Sequence, residues 1–373
     1  MRDETKCLHA GYTPKNGEPR VVPIVQSTTY VYDSTDEVAS VFDEPTKSLI
    51  YSRFANPTVM AVEEKIAALE GGVGAMCTSS GQAASLLSIL NLCNAGDSFL
   101  AAAEIYGGTV NLFTHTLKKL GIECIYIEKG MTDEEIDALF KPNTKAVFGE
   151  TIANPALTVL DIERYANIAH RHGVPLIVDN TFATPVLCKP FDFGADIVIH
   201  STTKYMDGHA VQGGGIIVDS GKFDWTNGNF PDFTEPDVTY HGISYTETYG
   251  KAAYIIKARM QLMRDFGAYP AAHSAFLLNL GLETLALRME RYCENALKVA
   301  KYFEQSDKIE SVTYPGLESD ENHALAEKYL KGSSGVISIV IKGGRDNAVK
   351  FMDSLKLASN EVHVADIRTC VLH

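Results

Sequence analysis

The chain has 373 residues and carries 47 acidic side chains against 33 Lys and Arg, a formal net charge of −14. That excess argues against nucleic acid or an anionic membrane as the main partner, since both reward a basic face. It leaves room for a small anion held by backbone N–H groups, and a chain this long, 45% apolar and 21% charged, reads as a globular protein of about two domains.

In chain order, residues 1–48 show no strong period and read as an extended N-terminal arm, with VVPIVQSTTYVYDS rich in β-branched residues. From Val59 the pattern is helical: Val59, Val62, Ile66 and Leu69 fall on one face, and Gly71 supplies the stop signal. Short apolar runs then alternate with helical stretches. The runs are GAMCT, SFLAAA, ECIYI, KAVFGE, PLIVDN, ADIVIH and GGIIV; between them lie GQAASLLSILNLC, GTVNLFTHTLKKLG, TDEEIDALF and DIERYANIAHRHG. Thr132 and Glu135 have the spacing of a capping box. This alternation predicts an α/β fold with a mostly parallel central sheet and helices on both faces. The rhythm breaks at 219–250, a long insertion-like loop of Asp, Asn, Gly, Pro and aromatics, expected to be functional or packed on a partner. From 271 a long helical segment leads into SVTYP and VISIVIKGG, which predicts a smaller C-terminal α/β domain. The expected division is therefore an arm over 1–48, a large domain over 49–270 and a small one over 271–373.

The cysteines (Cys7, Cys77, Cys93, Cys124, Cys188, Cys293, Cys370) are odd in number, widely spaced and without C-x-x-C. That is neither a disulfide framework nor a zinc site, and it points to a reducing compartment. No apolar run is long enough to span a bilayer and the start lacks a signal-peptide pattern, so the expected location is the cytoplasm, with no membrane partner. The histidines build no metal site either: His170 and His172 are two apart on a helix, and there is no H-E-x-x-H.

Three features can carry chemistry. The turn Thr78-Ser79-Ser80-Gly81-Gln82 joins an apolar run to a helix start, where free N–H groups suit a phosphate, though Ser80 also reads as a simple helix cap. Asp179 closes the run PLIVD, where open α/β sheets place ligands; capping by Asn180 and Thr181 is the alternative. Lys204 follows the run ADIVIH through Ser201-Thr202-Thr203 and could be a desolvated nucleophile or a solvated surface group. Together, a phosphate turn, an acid and a lysine at strand ends are the parts that hold pyridoxal phosphate.

With these stretches in place the sequence resembles a known family, the Cys/Met-metabolism enzymes that use pyridoxal phosphate, of fold type I (aminotransferase-like). The matching motifs are YSRFANPT (51–58), SSGQAA (79–84), IYGGT (105–109), ETIANP (150–155), VDNTFATP (178–185), HSTTKYMDGH (200–209), GLETLALRMER (281–291) and YPGL (314–317), in the family's order over nearly the whole chain. The resemblance implies that Lys204 holds the cofactor and moves protons, that Asp179 pairs with the pyridinium nitrogen and that Tyr106 stacks on the ring. It implies that Ser80, Gly81, Gln82, Ser201 and Thr203 hold the phosphate and that Asn154 lies near the ring oxygen. Tyr51 and Arg53 would reach the phosphate of an adjacent subunit, which implies a homo-oligomer, a tetramer built from two dimers.

Within the family, the segment after the lysine and the Gly at position 108, where γ-lyases place Cys, resemble the branch that replaces the γ-substituent of an O-acylated homoserine. The implied reaction is the attack of sulfide or a small thiol on O-acetylhomoserine to give homocysteine or methionine. Methionine or cystathionine γ-elimination is the alternative. Family members continue into an Arg-x-Ser-x-Gly-x-Glu segment whose Arg takes the substrate carboxylate. This sequence ends at His373, and Arg345 and Arg368 lack that context, so the expectation is an intact cofactor site, with a truncated inactive copy as a further alternative.

Overall fold

A computed structural model describes residues 1–43 and 49–373. Its centre is a seven-stranded sheet of β1 (Gly74–Thr78), β2 (Ser98–Ala102), β3 (Glu123–Ile127), β4 (Thr144–Glu150), β5 (Leu176–Asp179), β6 (Ile197–His200) and β7 (Gly215–Asp219). The spatial order is β1-β7-β6-β5-β4-β2-β3, and β7 runs against both of its neighbours while β2 to β6 pair in parallel. All seven apolar runs became strands. β2, β6 and β7 are buried along their whole length, as strands covered on both faces must be, which is why they read as unbroken apolar runs and not as alternation.

Local signals set the helices that cover the sheet. In the helix Pro57–Glu70, the Asn56 side chain accepts the Thr58 N–H, Pro57 opens the first turn, and Gly71 closes the end in the left-handed region at φ +85°. The helix Gly81–Leu90 starts at Ser80, whose side chain accepts the Ala83 N–H. Thr132 and Glu135 form the reciprocal capping box. The long segment after 271 is two helices, Ala272–Glu283 and Leu285–Glu304, parted at Thr284. The first packs on the helix Pro57–Glu70. Beyond them β8 (Ile309–Thr313) and β9 (Ser338–Ile341) form a separate antiparallel pair.

The 219–250 segment builds a small aromatic core of its own. Trp225 stacks on Phe233 with ring centroids 4.6 Å apart and on Tyr254 at 5.3 Å, with Phe230 edge-on. Trp225 is 4% exposed, so this part of the segment is anchored to the chain that carries it. Among the described residues, no helix is long and apolar enough to cross a membrane.

Candidate active site

Parallel strands end on one edge of a sheet, so the turns after β1, β2, β4, β5 and β6 gather there. Lys204 lies in the turn after β6. Its N–H donates to the Ser201 carbonyl, and its own carbonyl accepts the Gly208 N–H at 2.8 Å. The amine is 3.5 Å from His363 Nδ1, and burial pushes it below the usual lysine range. A lysine so placed has more free amine near neutrality than a surface lysine, which is what attack on a carbonyl requires.

Asp179 ends β5, in register beside Glu150 at the end of β4. Asp179 Oδ1 accepts both the N–H of Thr181, at 2.9 Å, and its hydroxyl. Thr181 Oγ1 in turn accepts the Ser201 N–H at 2.8 Å, which ties the acid to the turn that leads to the lysine. Glu150 accepts the N–H of Tyr106 at 2.7 Å and that of Asn154 at 3.3 Å, fixing the two loops that flank it. Burial raises both carboxyls. In Glu150 the neighbouring Asp179 charge adds to the rise against its two N–H donors; in Asp179 the Thr181 donors and His200 pull the value back. Among the described residues, the hydrogen bonds to both carboxyls come from neutral donors alone. Sequence reasoning quoted the motif that contains Glu150 without giving it a role.

The turn after β1 meets the turn after β6 directly. A Cβ built on Gly81 would lie 2.6 Å from Ser201 Cβ, so glycine is what lets the helix start approach the lysine turn. Ser80 caps the helix through Ala83, and the N–H groups of Gly81 and Gln82, in the first turn, have no acceptor among the described residues. Gln82 Oε1 is buried and unpartnered. Tyr106 is 48% exposed above this cradle, and a Cβ on Gly108 would lie 2.5 Å from its ring and 2.9 Å from Gln82 Nε2.

Two expected groups stand apart. The Thr203 hydroxyl donates to the Gly214 carbonyl at 3.1 Å and accepts the Gly214 N–H at 3.0 Å, so the residue just before β7 already claims it. Among the described residues, no hydrogen bond or ion pair joins Tyr51 or Arg53 to the lysine, the acids or the cradle of their own chain. Arg53 donates to the Arg264 carbonyl, and its guanidinium lies 5.5 Å from the centroids of Tyr51 and of Phe54.

His200 is a core residue, its Nε2 bonded to Glu70 Oε1 at 2.6 Å with both side chains fully buried. His170 and His172 pair with separate carboxylates, Asp196 and Asp137.

Two adjacent carboxyls whose hydrogen bonds, among the described residues, come only from neutral donors call for a positively charged N–H; the cradle calls for an anion; the depressed amine calls for a carbonyl. The small molecule that answers all three is pyridoxal phosphate, and the sheet order and strand-end site are those of its fold-type-I enzymes. The chain belongs to the Cys/Met metabolism PLP-dependent enzyme family, whose profile matches residues 4–373. It is 43% identical to the O-acetyl-L-homoserine sulfhydrylase of Leptospira meyeri, covering 100% of this chain and 87% of the relative. It is 46% identical to the homocysteine synthase of Schizosaccharomyces pombe, covering 99% and 87%. Among solved structures, it resembles a putative O-acetylhomoserine (thiol)-lyase of Campylobacter jejuni, crystallised with a pyridoxyl-lysine monophosphate. The TM-score is 0.96 at 34% identity, over 100% of this chain and 92% of the other.

Proposed function

We propose that this protein catalyses γ-replacement on O-acetylhomoserine: sulfide forms a bond to the γ-carbon, acetate leaves from it, and the product is homocysteine, a precursor of methionine. The observation that carries this reading is the run of curated relatives, bacterial and fungal, that match 99–100% of this chain at 43–46% identity and are named O-acetylhomoserine sulfhydrylase or homocysteine synthase.

Bound pyridoxal phosphate supplies the electron sink that lets charge develop on the substrate carbons. Lys204 holds the cofactor and, once free, carries protons between substrate carbons. Asp179 would accept the hydrogen bond of the ring nitrogen and keep it protonated. Glu150 fixes the backbone of Tyr106, which would stack on the ring and help protons move at the leaving group, and of Asn154, which would lie near the ring oxygen. Gly81 and Gln82 would give backbone N–H groups to the phosphate, Ser80 holds that helix start in place, and Ser201 would add a hydroxyl, with Thr203 beside it in the lysine turn. Tyr51 and Arg53, unused by their own site, serve a neighbouring copy, which makes the active form a homo-oligomer of paired dimers. The proposed division is an arm to residue 48, a cofactor domain over 49–270 and a smaller domain from 271; the end of the arm, residues 44–48, lies outside the described residues.

Incubation with O-acetylhomoserine, sulfide and pyridoxal phosphate should release homocysteine and acetate in equal amounts. A protein that makes no homocysteine but forms α-ketobutyrate from methionine would be a γ-lyase, and the proposal would fall.

A further inference from the structure

The stretch GLETLALRMER supplies a residue with no part in the chemistry above. Arg288, in the first turn of the helix Leu285–Glu304, reaches back to the turn that follows Lys204. Its Nη1 donates to the Tyr205 carbonyl at 2.7 Å, and its Nη2 donates to the Gly281 carbonyl at 2.7 Å and the Met206 carbonyl at 3.4 Å. Its Nε donates to Thr284 Oγ1 at 3.0 Å. Every one of these acceptors is a neutral oxygen. A guanidinium ordinarily seeks a carboxylate, and a cation in the first turn of a helix works against the helix dipole. This one is held against both preferences by the two carbonyls directly after the lysine.

Two glycines make the approach possible from opposite sides. A Cβ on Gly208, which has φ +69°, would lie 2.3 Å from Arg288 Nη1, and a Cβ on Gly281 would lie 2.4 Å from the Asp207 carbonyl oxygen. The same turn is fastened twice more from later in the chain. The Ile367 N–H donates to the Gly208 carbonyl at 2.8 Å, and the Tyr205 hydroxyl accepts the Gly335 N–H at 2.9 Å.

We propose that Arg288 is a positioning residue for Lys204. Its planar fork fixes the peptide units just beyond the lysine, and with them the direction from which the amine meets the carbonyl it attacks. The geometry also gives a reason why the fork has to be arginine: a lysine ammonium at this position lacks the fixed array of donors that meets three carbonyls and a hydroxyl at once. The proposal rests on the reading of Lys204 as the cofactor-bearing lysine.

The test uses the full chain, stripped of cofactor and then mixed with pyridoxal phosphate, for wild type, Arg288→Lys, Arg288→Ala and Lys204→Ala. The readouts are the rate at which the visible band of the lysine-linked cofactor grows, the pH titration of that band, and the melting temperature. Displacing the turn by about 1 Å should slow band growth on the order of tenfold or more in both Arg288 variants, because attack depends on alignment. The band's titration should move as well. Millimolar guanidinium should restore the rate in Arg288→Ala, where it can refill the space, and not in Arg288→Lys. If the folded Arg288 variants match wild type in rate and titration and differ only in melting temperature, Arg288 is a brace and the proposal is overturned. If Lys204→Ala still grows the band, the reading of Lys204 falls and the clamp falls with it. Should Arg288→Ala fail to fold, Arg288→Lys alone decides, by the same rate and titration.

Discussion

Gly81→Ala is a perturbation whose size can be worked from the contact at the heart of the site. The added methyl would sit 2.6 Å from Ser201 Cβ and 2.9 Å from its Cα and Oγ. Carbon pairs rest at ~3.5–4.0 Å, so the helix start and the lysine turn must part by about 1 Å. The backbone at Gly81 is in the helix, and alanine is the better helix former by up to ~1 kcal/mol. Overpacking works the other way, at about 1–3 kcal/mol, so the net change in folding stability is small or modestly unfavourable. The cradle, by contrast, is pried open at the Gly81 and Gln82 N–H groups. If most of the 1–3 kcal/mol is drawn from cofactor binding, the dissociation constant of pyridoxal phosphate rises about 5- to 150-fold. Titration of cofactor-free protein by visible absorbance measures this, with thermal melting as the check on folding. Unchanged affinity in Gly81→Ala would refute the argument that this contact sets the cradle.

Two further outcomes follow from burial. Glu150 titrates well above its ordinary 4.5 in the folded chain. Its stabilising contribution is therefore complete below that ordinary value and is lost as pH rises through the folded one. Glu150→Gln misplaces one N–H partner at every pH, yet in cofactor-free protein its melting temperature should gain on wild type as pH rises above the ordinary carboxylate range; a difference that stays flat with pH would show that the carboxyl is not held in a raised state. Cys7, Cys77, Cys93 and Cys188 are buried, and burial pushes each thiol up. A thiol reagent at mildly alkaline pH should therefore label no more than three of the seven cysteines quickly, and all of them after denaturation. Rapid labelling of more in the native protein would contradict this packing.

The strands were legible because burial on both faces erases alternation, leaving short apolar runs between helical stretches. Asp179 and Lys204 were legible because each directly follows or ends such a run, and strand ends share an edge. Glu150 was not, since its importance comes from lying in register with Asp179 across two strands, and nothing local in KAVFGE announces that pairing. The reversed direction of β7 was hidden for the same reason. The break at Thr284 was missed because no Pro stands there and the apolar pattern runs on through it. Tyr51 and Arg53 were found by resemblance alone, and within one chain they serve nothing catalytic.

The order of the sheet has a consequence for how the molecule comes into being. β1, which carries the phosphate cradle at its end, lies on the far edge from the strand that follows it and, among the described residues, pairs only with β7, Gly74 against Asp219. Until β7 has emerged from the ribosome, β1 has no strand partner, and the cradle has no lysine turn to meet. A nascent chain thus spends a long interval with an apolar strand unpaired, and non-local pairing of this kind closes slowly. Cofactor capture must come late in synthesis, and pyridoxal phosphate should act on folding as a latch on the finished sheet and not as a template for it.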